Sequence, residues 1–148
     1  RRTPRSTLFP YTTLFRSPQK RFIINKNNTI TDRLTGLIWE LSPDKKLYNW
    51  DEAFKRIAYL NSTKLSGYND WRLPNILELK SLINLNTNTH RYTIMQVFKT
   101  IDINSFFTSS HEVFYNKKVW TINLISPGIN SNDKSYKGIR VIAVRGGS

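Results

Sequence analysis

The chain has 148 residues, a formal net charge of +13 and no cysteine. Its length suits one domain with a real hydrophobic core, and its aromatic content of 13% is too high for a disordered basic tail. The lack of cysteine excludes disulfides, thiolate metal sites and a cysteine nucleophile. No segment approaches the ~18 consecutive apolar residues of a membrane helix, so we expect a soluble globular domain that does not insert into a membrane.

The first seventeen residues differ from the rest of the chain. They hold four arginines and no acidic residue, and the tetrapeptide at 6–9 nearly repeats at 12–15. The segment resembles the translated sequencing-adapter read-through found at the ends of metagenomic gene fragments. We therefore expect residues 1–17 to be non-native or disordered, with any export signal lost, and residues 18–148 to form a single domain. Subtracting the four arginines from +13 leaves +9 on residues 18–148, enough to attract polyanions.

The first elements of this domain are predicted to be strands. Residues 22–24 form a short apolar run before a polar turn, and residues 29–32 lead through a turn at Thr35 and Gly36 into a second run at 37–39. Apolar runs of this length, separated by turn residues, predict a β-hairpin.

An amphipathic helix is predicted next, over residues 50–61. Asn49 and Glu52 have the spacing of a capping box. The apolar residues that recur at helical spacing are Trp50, Phe54, Ile57 and Leu60. We expect Lys55, Arg56 and Lys64 to lie on or near the outer face.

A second helix is predicted after Pro74. Asn75 is its predicted cap and Glu78 its third residue, and the apolar stripe falls on residues 76, 79, 82 and 83. Residues 92–101 fit a helix or a strand equally well, because so short a run has no decisive periodicity.

The last third of the chain reads as strands and turns. The predicted strands are residues 105–109, 113–115, 119–124 and 139–144, with residues 116–118 as a hairpin tip and 130–137 as an exposed loop. A hairpin, two helices and then a strand-rich third indicate the α+β class rather than alternating α/β.

The densest motif is residues 67–79, which contains Asp70, Trp71, Arg72, Pro74 and Glu78. A guanidinium among apolar neighbours needs carboxylate or carbonyl partners, and Asp70 and Glu78 are the local candidates for Arg72. We interpret the motif as a structural ion pair at the start of the helix; a catalytic or ligand-binding role is the alternative.

Three segments carry a family resemblance: TITDRLTGLIWE at 29–40, YNWDEAFKRIAYLN at 48–61 and GYNDWRLPNILELKSLI at 67–83. Together with the strands near 105–110, 119–123 and 139–146, they resemble the C-terminal domain family of the Legionella collagen-like adhesin, over about residues 22–146. The match includes Trp39 of the first segment. One departure is Phe107-Thr108-Ser109, where the family more often has Trp-Ser-Ser.

The resemblance implies both a fold and a role. The arginine-leucine-proline stretch before a capped helix is similar to that of formylglycine-generating-enzyme-like and C-type-lectin-like domains, so a C-type-lectin-like fold is implied, with two helices flanking small antiparallel sheets. The family's adhesin domain binds sulfated glycans, and related domains are exposed ligand-binding or host-contact modules, sometimes homotrimers. The resemblance thus implies an extracellular or cell-surface location.

The residues themselves give little support to catalysis. Formylglycine-generating chemistry requires cysteines, and the two histidines, His90 and His111, lack metal-ligand spacing. Residues 109–112 place serine, histidine and glutamate side by side, but contiguous side chains do not have the geometry of a catalytic triad. Residues 130–133 hold one carboxylate, so a turn is favoured over a calcium site. We expect no enzyme activity, no cofactor and no metal.

A binding surface is the remaining hypothesis. Lysine and arginine can pair with sulfate or carboxylate groups, and tyrosine rings can pack on sugars. The candidate ligand-binding residues are Tyr115, Lys117, Lys118, Lys134, Tyr136, Lys137 and Arg140. We expect anionic polysaccharide as the partner. The alternatives are a surface protein bound without glycan specificity, and nonspecific nucleic-acid binding, for which no recognised motif is present.

Overall fold

The computed structural model describes residues 20–83, 98, 106–112, 117–123 and 128–147. Its elements, in chain order, are β1 (Phe22–Ile24), β2 (Thr29–Asp32), β3 (Ile38–Glu40), α1 (Trp50–Ser62), α2 (Ile76–Ile83), β4 (Phe106–Glu112), β5 (Lys118–Asn123), β6 (Gly128–Asp133), β7 (Ile139–Arg140) and β8 (Val144–Arg145). Within these described residues, two helices and two sheets confirm the α+β class. The predictions for residues 1–17, 113–116 and, apart from Phe98, 92–101 lie outside the described residues.

The strands form two four-stranded sheets. The first has the order β1-β2-β3-β8 and is antiparallel throughout, with Trp39 opposite both Ile30 and Val144. The second has the order β6-β5-β4-β7, and only its β4–β7 pair is parallel. β8 pairs with β3, so a strand from the last residues of the chain lies at the edge of the sheet that β1, β2 and β3 form.

The main core fills the space that the two sheets share with α2. Trp39 and Phe98 meet edge to face at 6.4 Å, and Phe107, Leu79 and Ile122 belong to the same buried cluster. A smaller cluster packs α1 against the chain around Trp71. Burial of this apolar surface is the main force that holds the helices on the sheets.

The structure corrects two boundaries in the last third of the chain. Residues 130–133 were expected in a loop, but they belong to β6, whose pairing with β5 runs from Gly128 to Asp133. The single strand predicted over residues 139–144 is two short strands, β7 and β8, which lie in different sheets. A mostly apolar run such as this one, interrupted only by Arg140, is buried equally well in either arrangement, so the pattern alone cannot locate the break.

Candidate functional site

The motif at residues 67–79 joins the start of α2 to the segment around Gly146 through the side chain of Arg72. Arg72 donates two hydrogen bonds of 2.7 Å to the Glu78 carboxylate and a third, also 2.7 Å, to the carbonyl of Gly146. Trp71 is only 2% exposed. Burial acts to raise the pKa of Glu78, but the bonds from Arg72 and from the Asn75 backbone outweigh it and hold that pKa below its ordinary value. The predicted ion pair between Arg72 and Glu78 is confirmed.

The other predicted partner of Arg72 has a different role. The carboxylate of Asp70 accepts hydrogen bonds of 2.7 and 2.9 Å from Arg145, near the end of the chain. The Arg145 guanidinium also lies 3.7 Å from the centre of the Tyr68 ring. Pro74 is buried just before Asn75, which caps α2 by a reciprocal exchange with Glu78 at 2.8 Å in both directions.

A second ion cluster lies beneath α1. Arg56 donates two bonds to the Glu40 carboxylate, at 3.0 and 2.6 Å, and one of 2.8 Å to Asp44. The prediction that Arg56 faces solvent is wrong, because the residue is buried. Helical spacing predicts which face of α1 is apolar, but it does not show that the Glu40 carboxylate of β3 lies beneath the helix and pairs with Arg56.

The arginines and lysines differ in how often they pair with carboxylates of the domain. The described residues hold 17 basic and 9 acidic side chains, 17 − 9 = +8, and seven of the nine carboxylates are in ion pairs. Four arginines, at positions 21, 56, 72 and 145, make two-pronged carboxylate contacts. Nine exposed lysines form no ion pair with a described carboxylate: Lys20, Lys26, Lys45, Lys46, Lys55, Lys64, Lys80, Lys117 and Lys118. The surplus positive charge is thus carried mainly by lysine at the surface, to which the exposed Arg33 adds.

Most of the predicted ligand-binding residues lie at one end of the second sheet. Lys117 and Lys118 are exposed at the start of β5, and the Lys134 backbone N–H donates to the Lys117 carbonyl at 2.7 Å. Tyr136 is 50% exposed in the turn that follows β6. Tyr115 lies outside the described residues.

Three predicted residues are less available than the sequence suggests. The Lys134 ammonium lies 2.7 Å from Glu112 and 4.5 Å from the centre of the Trp50 ring. Lys137 is 3.0 Å from Glu52. Arg140 is only 7% exposed in β7, so little of its side chain is open to a ligand at the surface.

A cleft of about 550 Å³ opens beside α1, between this helix and the loop that precedes it. Lys137 belongs both to this cleft and to the predicted binding residues. The other lining residues are Asp44, Lys46, Leu47, Tyr48, Glu52, Lys55, Arg56, Tyr59 and Leu60. Four cations and two carboxylates give the lining a net charge of +2, and its volume lies in the range of small-molecule sites, about 300–1,000 Å³.

Sequence reasoning missed this cleft, although a signal was present. Glu52, Lys55 and Tyr59 are three and four residues apart on α1, and so share one face of the helix. The structure shows that Tyr59 is 65% exposed, so it adds an aromatic ring to this charged face.

The two carboxylates of the cleft are held in their charged form. Burial acts to raise the pKa of Asp44, but hydrogen bonds from Arg56 and Tyr48 hold it below its ordinary value. The hydrogen bond from the Asn49 backbone, followed by the contact with Lys137, lowers the pKa of Glu52. Burial and the Asp44 hydrogen bond raise the pKa of Tyr48 to about 12, so its hydroxyl stays protonated. At neutral pH the cleft therefore offers both anionic acceptors and ammonium donors.

The described residues show neither a metal cluster nor a transmembrane helix. Within them, no group of three or more His, Asp or Glu side chains could hold a metal ion. No helix in the same part of the chain has the length and apolar character to cross a bilayer.

Fold and surface together define a small α+β domain in which arginines pair with its own carboxylates, unpaired lysines lie on the surface and a mixed-charge cleft opens beside α1. The Lcl C-terminal domain family model matches residues 28–145, and the chain belongs to that family. No curated protein matches the chain. Membership in the family supports an adhesin-like domain, as the resemblance of the three segments predicts.

Proposed function

We propose that the domain is a noncatalytic, C-type-lectin-like adhesion module that recognises anionic polysaccharide at a cell or particle surface. The observation that carries this proposal is the distribution of charge: four arginines pair with five carboxylates of the fold, whereas nine exposed lysines pair with no described carboxylate. An exposed ammonium attracts sulfate or carboxylate groups as a point charge. The family's adhesin-like character supports an extracellular or surface location.

The end of the second sheet is the proposed contact surface for the polymer. Lys117 and Lys118 are adjacent and exposed, and Lys134 is joined to Lys117 through the backbone. The exposed ring of Tyr136 is available to pack on a sugar. Because Glu112 and Glu52 partly neutralise Lys134 and Lys137, we assign most of the attraction to Lys117 and Lys118.

Heparin-affinity chromatography with two matched charge variants tests the proposal. The site variant carries Lys→Gln changes at 117, 118, 134 and 137, and the control carries the same change at 20, 26, 64 and 80. Both variants lose four positive charges, so they attract a polyanion equally if only the total charge matters. We expect the parent and the control to be retained at about 0.15 M salt, and the site variant to elute earlier than the control.

Equal elution of the two variants would show that binding depends on total charge and would refute the proposed surface. Flow-through of the parent chain at that salt concentration would refute polyanion recognition itself. Flow-through combined with a discrete protein partner would instead support the surface-protein alternative.

A further inference from the structure

We propose that the cleft beside α1 is a second, selective subsite that binds one singly charged sugar residue with free hydroxyl groups, such as a uronic acid, and disfavours a heavily sulfated ring. This inference rests on the proposed polysaccharide-binding function and assigns a ligand to a part of the surface about 550 Å³ in volume. Binding at the lysines of the second sheet depends on the charge density of the polymer, whereas binding in the cleft depends on the chemical groups of a single sugar ring.

The carboxylates of Asp44 and Glu52 set the selectivity. Both line the cleft and are partly exposed, with side-chain exposures of 38% and 32%. An ionised carboxylate only accepts hydrogen bonds, so it favours a ligand hydroxyl, which can donate. A sulfate replaces that donor with acceptor oxygens and a negative charge. Each sulfate placed beside Asp44 or Glu52 is therefore repelled.

The cations of the cleft supply the contact for a single acid group. Lys46 and Lys55 are exposed lining residues that pair with no described carboxylate. Arg56 is already held by Glu40 and Asp44, and Lys137 by Glu52, which leaves the two lysines to meet the ligand anion. The side chain of Tyr59, four residues after Lys55 on the same helix, offers an exposed face for the sugar ring.

Three trisaccharides of similar size separate the two kinds of recognition: trigalacturonate, persulfated maltotriose and neutral maltotriose. Their binding to the full chain is measured by isothermal titration calorimetry in low salt. The cleft variants are Lys55→Gln and Tyr59→Ala, the surface variant is Lys117→Gln with Lys118→Gln, and the control is Lys80→Gln on α2. We expect each cleft variant to weaken trigalacturonate binding about fivefold to tenfold, the size of one lost charged or aromatic contact, while the surface and control variants stay within twofold of the parent.

Glu52→Gln tests the selectivity directly. Glutamine can replace glutamate in the capping box, so α1 keeps its start, but the negative charge is lost. We expect binding of persulfated maltotriose to strengthen several-fold, and by more than that of trigalacturonate, because a persulfated ring places several negative charges near the parent carboxylate and a galacturonate ring carries only one.

The outcomes distinguish this inference from the function on which it rests. The cleft subsite would be refuted if trigalacturonate bound no more tightly than maltotriose. It would also be refuted if Lys55→Gln and Tyr59→Ala left the affinity for trigalacturonate unchanged. If heparin retention still depends on the lysines at the end of the second sheet, the polysaccharide function stands without the subsite. If heparin does not retain the chain but the cleft variants still weaken trigalacturonate binding, the subsite is supported and the proposed contact surface for the polymer is refuted.

Discussion

Replacing Arg56 with methionine is the most direct test of the ion cluster beneath α1. The change keeps an unbranched side chain that can pack beneath the helix, but it removes the guanidinium that contacts Glu40 and Asp44. The Glu40 side chain is only 6% exposed and would keep one other close donor, the Ala143 backbone N–H at 3.1 Å. The variant therefore leaves a buried carboxylate largely uncompensated.

The expected loss is about 3–5 kcal/mol in the free energy of unfolding, the usual cost of breaking a buried ion pair from one side. Small domains are stable by only about 5–15 kcal/mol, so this loss is a large part of the total. Adding Glu40→Gln to the methionine variant removes the stranded charge. Most of the loss should then be recovered, which would give a large coupling energy between the two positions.

Urea unfolding at neutral pH, followed by tryptophan fluorescence, measures these differences. Arg33→Met is the matched control, because Arg33 is exposed and pairs with no described carboxylate; its effect should stay within about 0.5 kcal/mol. A loss below about 1 kcal/mol for Arg56→Met, or a double variant as unstable as the single one, would refute the view that Glu40 needs this guanidinium.

Three further predictions concern the scaffold around α2. Asn75→Ala removes the cap of α2 and should cost about 1 kcal/mol in urea unfolding. Gly147→Ala should cost about 1–2 kcal/mol, because Gly147 has a φ of +73° and an added Cβ would lie 2.8 Å from the Leu37 side chain. The folded state holds the pKa of the Glu78 carboxyl below its usual 4.5. Glu78 therefore stabilises the fold above that pH, and this stabilisation is lost as the pH falls below it. Glu78→Gln should lower the free energy of unfolding at neutral pH, and should make its decline between neutral pH and about pH 3 less steep.

Local features of the fold could be predicted from the sequence. The capping boxes at Asn49 and Asn75 join residues three positions apart, and the structure confirms both. The Arg72 pair spans six residues and is also confirmed. Interactions of this range depend on the helix and its first turn, which the chain specifies locally.

The long-range interactions could not be predicted in this way. Arg56 reaches Glu40 across 16 positions, and Arg145 reaches Asp70 across 75. An amphipathic pattern places charged residues outside by default, and only the fold shows which charge has a buried partner. The cleft was missed for the same reason, since it joins α1 to a loop and to Lys137, far along the chain.

The different uses of arginine and lysine limit how this domain can achieve specificity. Two-pronged arginine contacts discriminate by geometry, but the arginines at positions 21, 56, 72 and 145 are already paired with carboxylates of the domain. The free lysines act as point charges, whose attraction is screened by salt and distinguishes one polyanion poorly from another. For the function that we propose, selectivity requires a place where the ligand meets acceptors and a ring face as well as cations, and the cleft beside α1 combines all three.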